Sequence, residues 1–291
     1  MSARLSLLLL SFAVTACSGK NADSGGVDDG WHVPLQDLGA AKVSTPDLDV
    51  SAQADDLWFA GAHFLPGIDW DDPTIDVPLY LFETIAMQDA IADAGSCPYT
   101  VLDGGQTTWR SDCRSTNGYE WVGRMVQTKW TEDGLAYTRW DADLDIVGDT
   151  ERAEFDHLAI HGAVVYVKGE SGPLKTAVQS NVQVELSGLW SRADADDPRE
   201  DAWRDWAWTG RDELTDHGHH IDGLARLGGI GTVGLTAEAL TVDVDCSSSP
   251  TGSVTASGVG SVDLGFHGST DCRQCADLTL PEGDAGETCA R

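Results

Sequence analysis

From Cys97 onward, apolar and polar residues alternate with a period of two. In YEWVGRMVQTKW (119–130), AYTRWDADLDIV (136–147), AVVYVKG (163–169), AVQSNVQVELSGLW (177–190), ALTVDVD (239–245) and GSVDLGFHG (260–268), β-branched and aromatic residues recur between polar ones, the pattern of half-buried strands. Asn-Gly at 117–118, Asp-Gly at 133–134, Lys-Gly-Glu-Ser-Gly at 168–172 and Pro-Thr-Gly at 250–252 bound these runs. Connections this short make hairpins and hence an antiparallel meander. Glycines inside the runs, as in Val122-Gly123, Ile160-His161-Gly162, Leu186-Ser187-Gly188 and Ile221-Asp222-Gly223, predict bulges or bends. One segment has a different period. Tyr80, Thr84, Met87, Ile91 and Ala94 recur at helical spacing before Gly95, predicting an amphipathic helix at about 79–94. The fold class expected is mainly β: an antiparallel meander, as a curved sheet, sandwich or partly open barrel, with one N-terminal amphipathic helix.

The first residues follow another logic. Arg4 precedes an apolar run from Leu5 to Val14, too short for the roughly 20 residues that span a bilayer, as expected of a secretory leader. Val14-Thr15-Ala16-Cys17 resembles the lipobox of bacterial lipoproteins. That resemblance implies cleavage by signal peptidase II before Cys17, acylation of Cys17, and a membrane partner reached through the lipid. Ser18 after the cysteine implies, under the enterobacterial sorting rule, the outer membrane. The segment SGKNADSGGVDDG (18–30) is small, polar and acidic, a composition that buries too little to order itself. The division expected is a signal peptide (1–16), a lipidated Cys17 with a flexible acidic tether (17–55), and a single disulfide-stapled β domain (56–291). A tether of that length has a root-mean-square span of about 35 Å.

Charge narrows the partners. The chain carries 48 acidic against 18 basic residues, a net charge of −30. Such a surface repels phosphate backbones and disfavours nucleic acid, while leaving an envelope glycan or protein as partner.

Seven cysteines occur, at 17, 97, 113, 246, 272, 275 and 289. With Cys17 lipidated an even number is left in an oxidising compartment, which favours three disulfides. The expected pairing closes Cys97 with Cys113, sets Cys289 beside Cys275 through a hairpin over PEGDAGE (281–287), and leaves Cys272 to reach Cys246. Two other chemistries use the same residues. Cys246, Cys272, Cys275 and Cys289 suffice for a zinc site if kept reduced, and Cys272-x-x-Cys275 has the spacing of a redox pair, without the strand-then-helix setting that chemistry uses. Cys97-Pro98, Gly105-x-Thr107-x-Trp109, Cys113, Trp121-x-Gly123 and Cys272-x-x-Cys275 with Cys289 resemble a group of lipoproteins from myxobacteria and their relatives. The resemblance implies an exported β-rich lipoprotein and no particular activity.

Several clusters carry possible chemistry. Asp216, His217, His219, His220 and Asp222 gather in TDHGHHIDG (215–223), ligand types for zinc or copper, competing with a solvated turn leading into a strand. His157 and His161, four apart in a strand-like run, are expected on one face of a sheet. Asp141, Asp143 and Asp145 fit the first positions of a calcium loop, but Ile146 and Arg152 stand where glycine and glutamate are needed; the run reads as a strand with an acidic face. DADDPRED (194–201) remains a weak calcium candidate. GESGP (169–173) superficially resembles a serine-protease nucleophile loop and reads as a hairpin turn. Trp206 and Trp208 share a strand face, the arrangement of a sugar-binding platform or of core packing. The function expected is a lipid-anchored, non-catalytic binding or structural module of the cell envelope, the alternative being an envelope hydrolase acting on polysaccharide or peptide, with zinc or calcium as the conceivable cofactors.

Overall fold

The computed structural model describes residues 31–50, 97–115, 118–148, 156–187, 205–242, 250–267, 275–280 and 283–289. Its strands are β1 (Tyr99–Asp103), β2 (Gln106–Arg110), β3 (Cys113–Arg114), β4 (Tyr119–Glu132), β5 (Leu135–Gly148), β6 (His157–Gly169), β7 (Leu174–Ser187), β8 (Asp205–Thr215), β9 (Gly218–Leu227), β10 (Gly231–Val242), β11 (Pro250–Gly258), β12 (Gly260–His267), β13 (Cys275–Leu280) and β14 (Gly283–Cys289). They form one antiparallel 14-stranded sheet in sequence order, with β3 set aside on β4, and the sheet does not close into a barrel. The meander is therefore an open sheet. No helix occurs among the described residues, and the predicted helix at 79–94 lies outside them.

Turn chemistry sets the register where it can be read. Asp133 and Gly134 both have positive φ, 50° and 78°, as a two-residue hairpin turn of the primed type requires, and they align β4 with β5 from Glu132↔Leu135 to Tyr119↔Gly148. The GESGP segment joins β6 to β7 as a turn. Two expected turns are instead largely strand. Pro250-Thr251-Gly252 opens β11, and Gly283 to Glu287 of the PEGDAGE run belong to β14. A bulge explains the first case: the register of β10 shifts between Ala237 and Leu240 against β9 and between Glu238 and Thr241 against β11, and Gly252 lies against its backbone, where a Cβ would come within 3.2 Å of Leu240 Cα.

Alternation separates the two faces. On the first, Met125, Leu144, Ile160, Val164, Val182, Ile221, Leu235, Val254 and Leu264 belong to one buried cluster that extends from β2 to β13, each large side chain contributing about 1.5–3 kcal/mol by leaving water. Trp206 and Trp208 belong to it. Trp208 lies over the cross-strand pair Gly210 and Gly223, where any Cβ would strike its ring. The second face holds a smaller cluster, Tyr137, Val165, Val167, Leu174 and Ala177, joined by Val33 and Leu38 from the N-terminal segment. Residues 31–50, expected within a tether, thus lie against the sheet.

Gly162 pairs with both Ala142 and Val182 at a φ of 142°. A methyl group there would collide with the carbonyl oxygen of Asn181. Gly162→Ala is expected to lower the unfolding free energy by about 2–4 kcal/mol, seen as a lower urea midpoint at unchanged slope.

Candidate functional site

The second face is where polar side chains are organised. Along β7 the positions pointing to it are Gln179, Asn181, Gln183 and Glu185; along β8 they are Thr209, Arg211 and Glu213. Several of these act on the backbone of residues 31–48, which crosses the sheet as a strap without forming a strand of its own. Glu213, 2% exposed, accepts the amide protons of His32 and Val33, each at 2.7 Å, and lies 3.0 Å from His32 Nδ1. Gln179 accepts from Gln36 N and donates to Gln36 O, both at 2.8 Å. Asn181, 3% exposed, accepts from Lys42 N and donates to the carbonyls of Leu38 and Ala40. Thr209 accepts from Val43 N and donates to Asn181 Oδ1.

The strap bends at residues 40 and 42, just past Gly39 with its φ of 83°; the Asp37 carboxylate accepts from Gly39 N while its carbonyl accepts from Arg139. The strap then returns to Thr232, whose carbonyl accepts the amides of Asp47 and Leu48. Leu48 and Val50 finish inside the main core cluster. Side chains thus provide the partners that a neighbouring strand would otherwise offer this backbone.

The bend frames a cleft of about 470 Å³ between Leu35–Gly39 and the sheet, lined further by Asn181, Thr209, Arg211, Asp222, Gly234, Thr236 and Ser257. A second hollow of about 460 Å³, lined by Trp31, His220, Asp222, Thr236 and Glu238, shares two of these residues. Trp31 is stacked on His220 at 3.9 Å between centroids, and the Arg211 guanidinium lies 3.4 Å from its ring centroid. On β5, the hydrogen bond to Asp141 raises the pKa of Arg139, and burial, then Glu132 and Asp133, raise that of Tyr137.

The histidine-aspartate run of 215–223 does not converge. His217 lies in the β8–β9 turn, while Asp216 faces Lys175 at 3.1 Å. His219 points into the first face, 3% exposed, with Nδ1 2.9 Å from Asp212 Oδ2. His220 and Asp222 point to the opposite face because successive strand residues alternate. The metal reading of His217, His219, His220, Asp216 and Asp222 as one set is therefore corrected. Among the described residues no three His, Cys, Asp or Glu side chains gather as a metal site.

The sugar-platform reading of Trp206 and Trp208 is corrected likewise, since each is 3% exposed and presents no ring face to a ligand. His157 and His161 share the second face as expected, 3.1 Å from Asp145 and 2.9 Å from Asp143. Asp141, Asp143 and Asp145 form the acidic face of β5, alternating with buried Trp140, Ala142, Leu144 and Ile146. The DADDPRED run lies outside the described residues.

Cys97 and Cys113 form a disulfide. Cys275 is disulfide-bonded, and its register partner across β13 and β14 is Cys289. A bonded Cys275 cannot be a thiolate ligand, which removes one member of the four-cysteine zinc set. Cys17, Cys246 and Cys272 lie outside the described residues.

Sequence reasoning missed Trp31, Gln179, Asn181, Arg211 and Glu213. The available signal was the apolar alternation Trp31-x-Val33-x-Leu35 inside an otherwise polar segment. No protein family, no curated protein and no solved structure matches the chain.

Removing the Glu213 carboxylate leaves two strap amides without their acceptor. Glu213→Ala is expected to cost about 2–4 kcal/mol of stability, since bonds to a buried charged acceptor are the stronger kind. Glu213→Gln, which keeps one oxygen, is expected to cost less. Urea denaturation of the two variants checks the order.

Proposed function

We propose that the chain is a lipid-anchored protein of the bacterial cell envelope, acylated at Cys17, whose sheet serves as a non-catalytic binding module. The cleft under the strap carries the binding part of this reading. It sets charged and hydroxyl side chains on paired strands and uses the strap as one wall, which is how many sites place a few polar groups in a concave surface. The lipobox-like Val14-Thr15-Ala16-Cys17 supports the anchor. The Cys97–Cys113 disulfide fits an oxidising compartment.

The anchor and the site would be close along the chain. Residues 17–30 reach at most about 50 Å when fully extended, and the next residue is Trp31, which contacts Arg211 in the cleft wall. The lipid would therefore hold the domain through the same segment that frames the site.

Metabolic labelling with a palmitate analogue tests the anchor. The wild-type chain is expected to take up label and sediment with membranes, and Cys17→Ser to do neither. An unlabelled wild-type chain would contradict the proposal.

A further inference from the structure

Arg211 and Asp222 are register partners on β8 and β9 and point to the same face. Side chains so placed have Cβ atoms about 4.5–5.5 Å apart, close enough for opposite charges to pair. Arg226 and Asp205 do so between the same two strands, at 2.7 Å, and Arg139 and Asp141 do so on β5, at 2.7 Å. Among the described residues no ion pair joins Arg211 to Asp222. The strap supplies another partner: the Arg211 guanidinium carbon lies over the Trp31 ring, 3.4 Å from its centroid, and Trp31 is itself fixed by stacking on His220 and by the adjoining His32 and Val33 amides on Glu213. A guanidinium carries five N–H donors, more than one ring face engages.

The cleft thus presents a planar donor and a separate carboxylate, both lining one cavity. A lone anion meets Asp222, and a lone cation meets Arg211; each is opposed by one of the two charges. A ligand carrying both signs a short distance apart satisfies both. Its net neutrality also spares it the repulsion or bulk attraction of a chain with net charge −30. The remaining walls suit a small apolar side chain. Leu35, 68% exposed, stands at the rim, and Leu224 lies on the floor. Gly234 also lines the cleft, and the Ser257 hydroxyl packs where its Cβ would stand.

We propose that this cleft binds a free α-amino acid with an aliphatic side chain, its carboxylate on Arg211 and its ammonium on Asp222. The proposal rests on the binding-module reading above and names the ligand class for the same site.

Titration calorimetry of the purified full-length chain with L-leucine tests it. 4-Methylpentanoate and isoamylamine, which are leucine without its amine and without its carboxylate and keep one charge each, and N-acetylglucosamine, which keeps neither, are the comparison ligands. L-leucine is expected to bind at least about tenfold more tightly than either single-charge analogue, one lost charged contact being of that order. Asp222→Asn removes an exposed carboxylate and is expected to weaken L-leucine about tenfold while leaving thermal stability unchanged. Arg211→Lys keeps the charge but loses the planar edge, and is expected to weaken it similarly.

L-leucine heats that are absent, matched by the single-charge analogues, or unchanged in Asp222→Asn would overturn the assignment. Binding of N-acetylglucosamine without L-leucine would overturn the ligand class and leave the cleft a binding site. Binding of none of the four would overturn the site itself. Palmitate labelling reads out the anchor independently of all these outcomes.

Discussion

The hydrogen bonds that the backbone amides of residues 32–43 donate to Glu213, Asn181, Gln179 and Thr209 are the interaction on which the second face depends. An open sheet has two faces, and only one of these is apolar along its whole width. The other mixes a small apolar cluster around Val165, Val167 and Ala177 with buried polar groups. Burial of Glu213 and Asn181 without partners would cost several kcal/mol. The strap backbone supplies those partners while Val33 and Leu38 cover the apolar cluster. The same crossing places Trp31 on Arg211, so the fold's solution for its second face also creates the separated charges of the cleft.

Period-two alternation accounts for most of what happened to the candidate sites. Any ligand set drawn from consecutive strand residues is divided between faces, as His219 and His220 are. Sets drawn from every second residue stay together, as Asp141, Asp143 and Asp145 do, but neighbouring strands can then satisfy them, as His157 and His161 satisfy Asp145 and Asp143. The charged groups left without a cross-strand ion pair are those that a third element draws away from their register partners. Arg211 is such a group because the strap reaches it from 180 positions earlier in the chain.

The strands β4 to β7 were legible because each is a run of 13 or 14 residues rich in β-branched and aromatic side chains, alternating most cleanly in β5, and the Asp133-Gly134 turn because primed turns demand those residues. The disulfide of Cys97 and Cys113 was legible from parity and proximity. The start of β11 was not, because Pro-Thr-Gly is turn chemistry unless a bulge in the next strand needs a glycine opposite it. The strap was not legible for a different reason. Glu213, Gln179, Asn181 and Thr209 lie 139 to 181 residues from the strap positions they bind, and they recognise main-chain atoms, which every residue has; composition alone made the segment look like more tether.

Amide hydrogen exchange on the wild-type chain tests the strap most directly. The account predicts that the amides of His32, Val33, Gln36, Lys42, Asp47 and Leu48, each with an acceptor on the sheet, exchange at least about tenfold more slowly than in an unstructured peptide of the same sequence. Exchange of these amides at the free-peptide rate would show that the segment does not stay on the sheet, and would contradict the account.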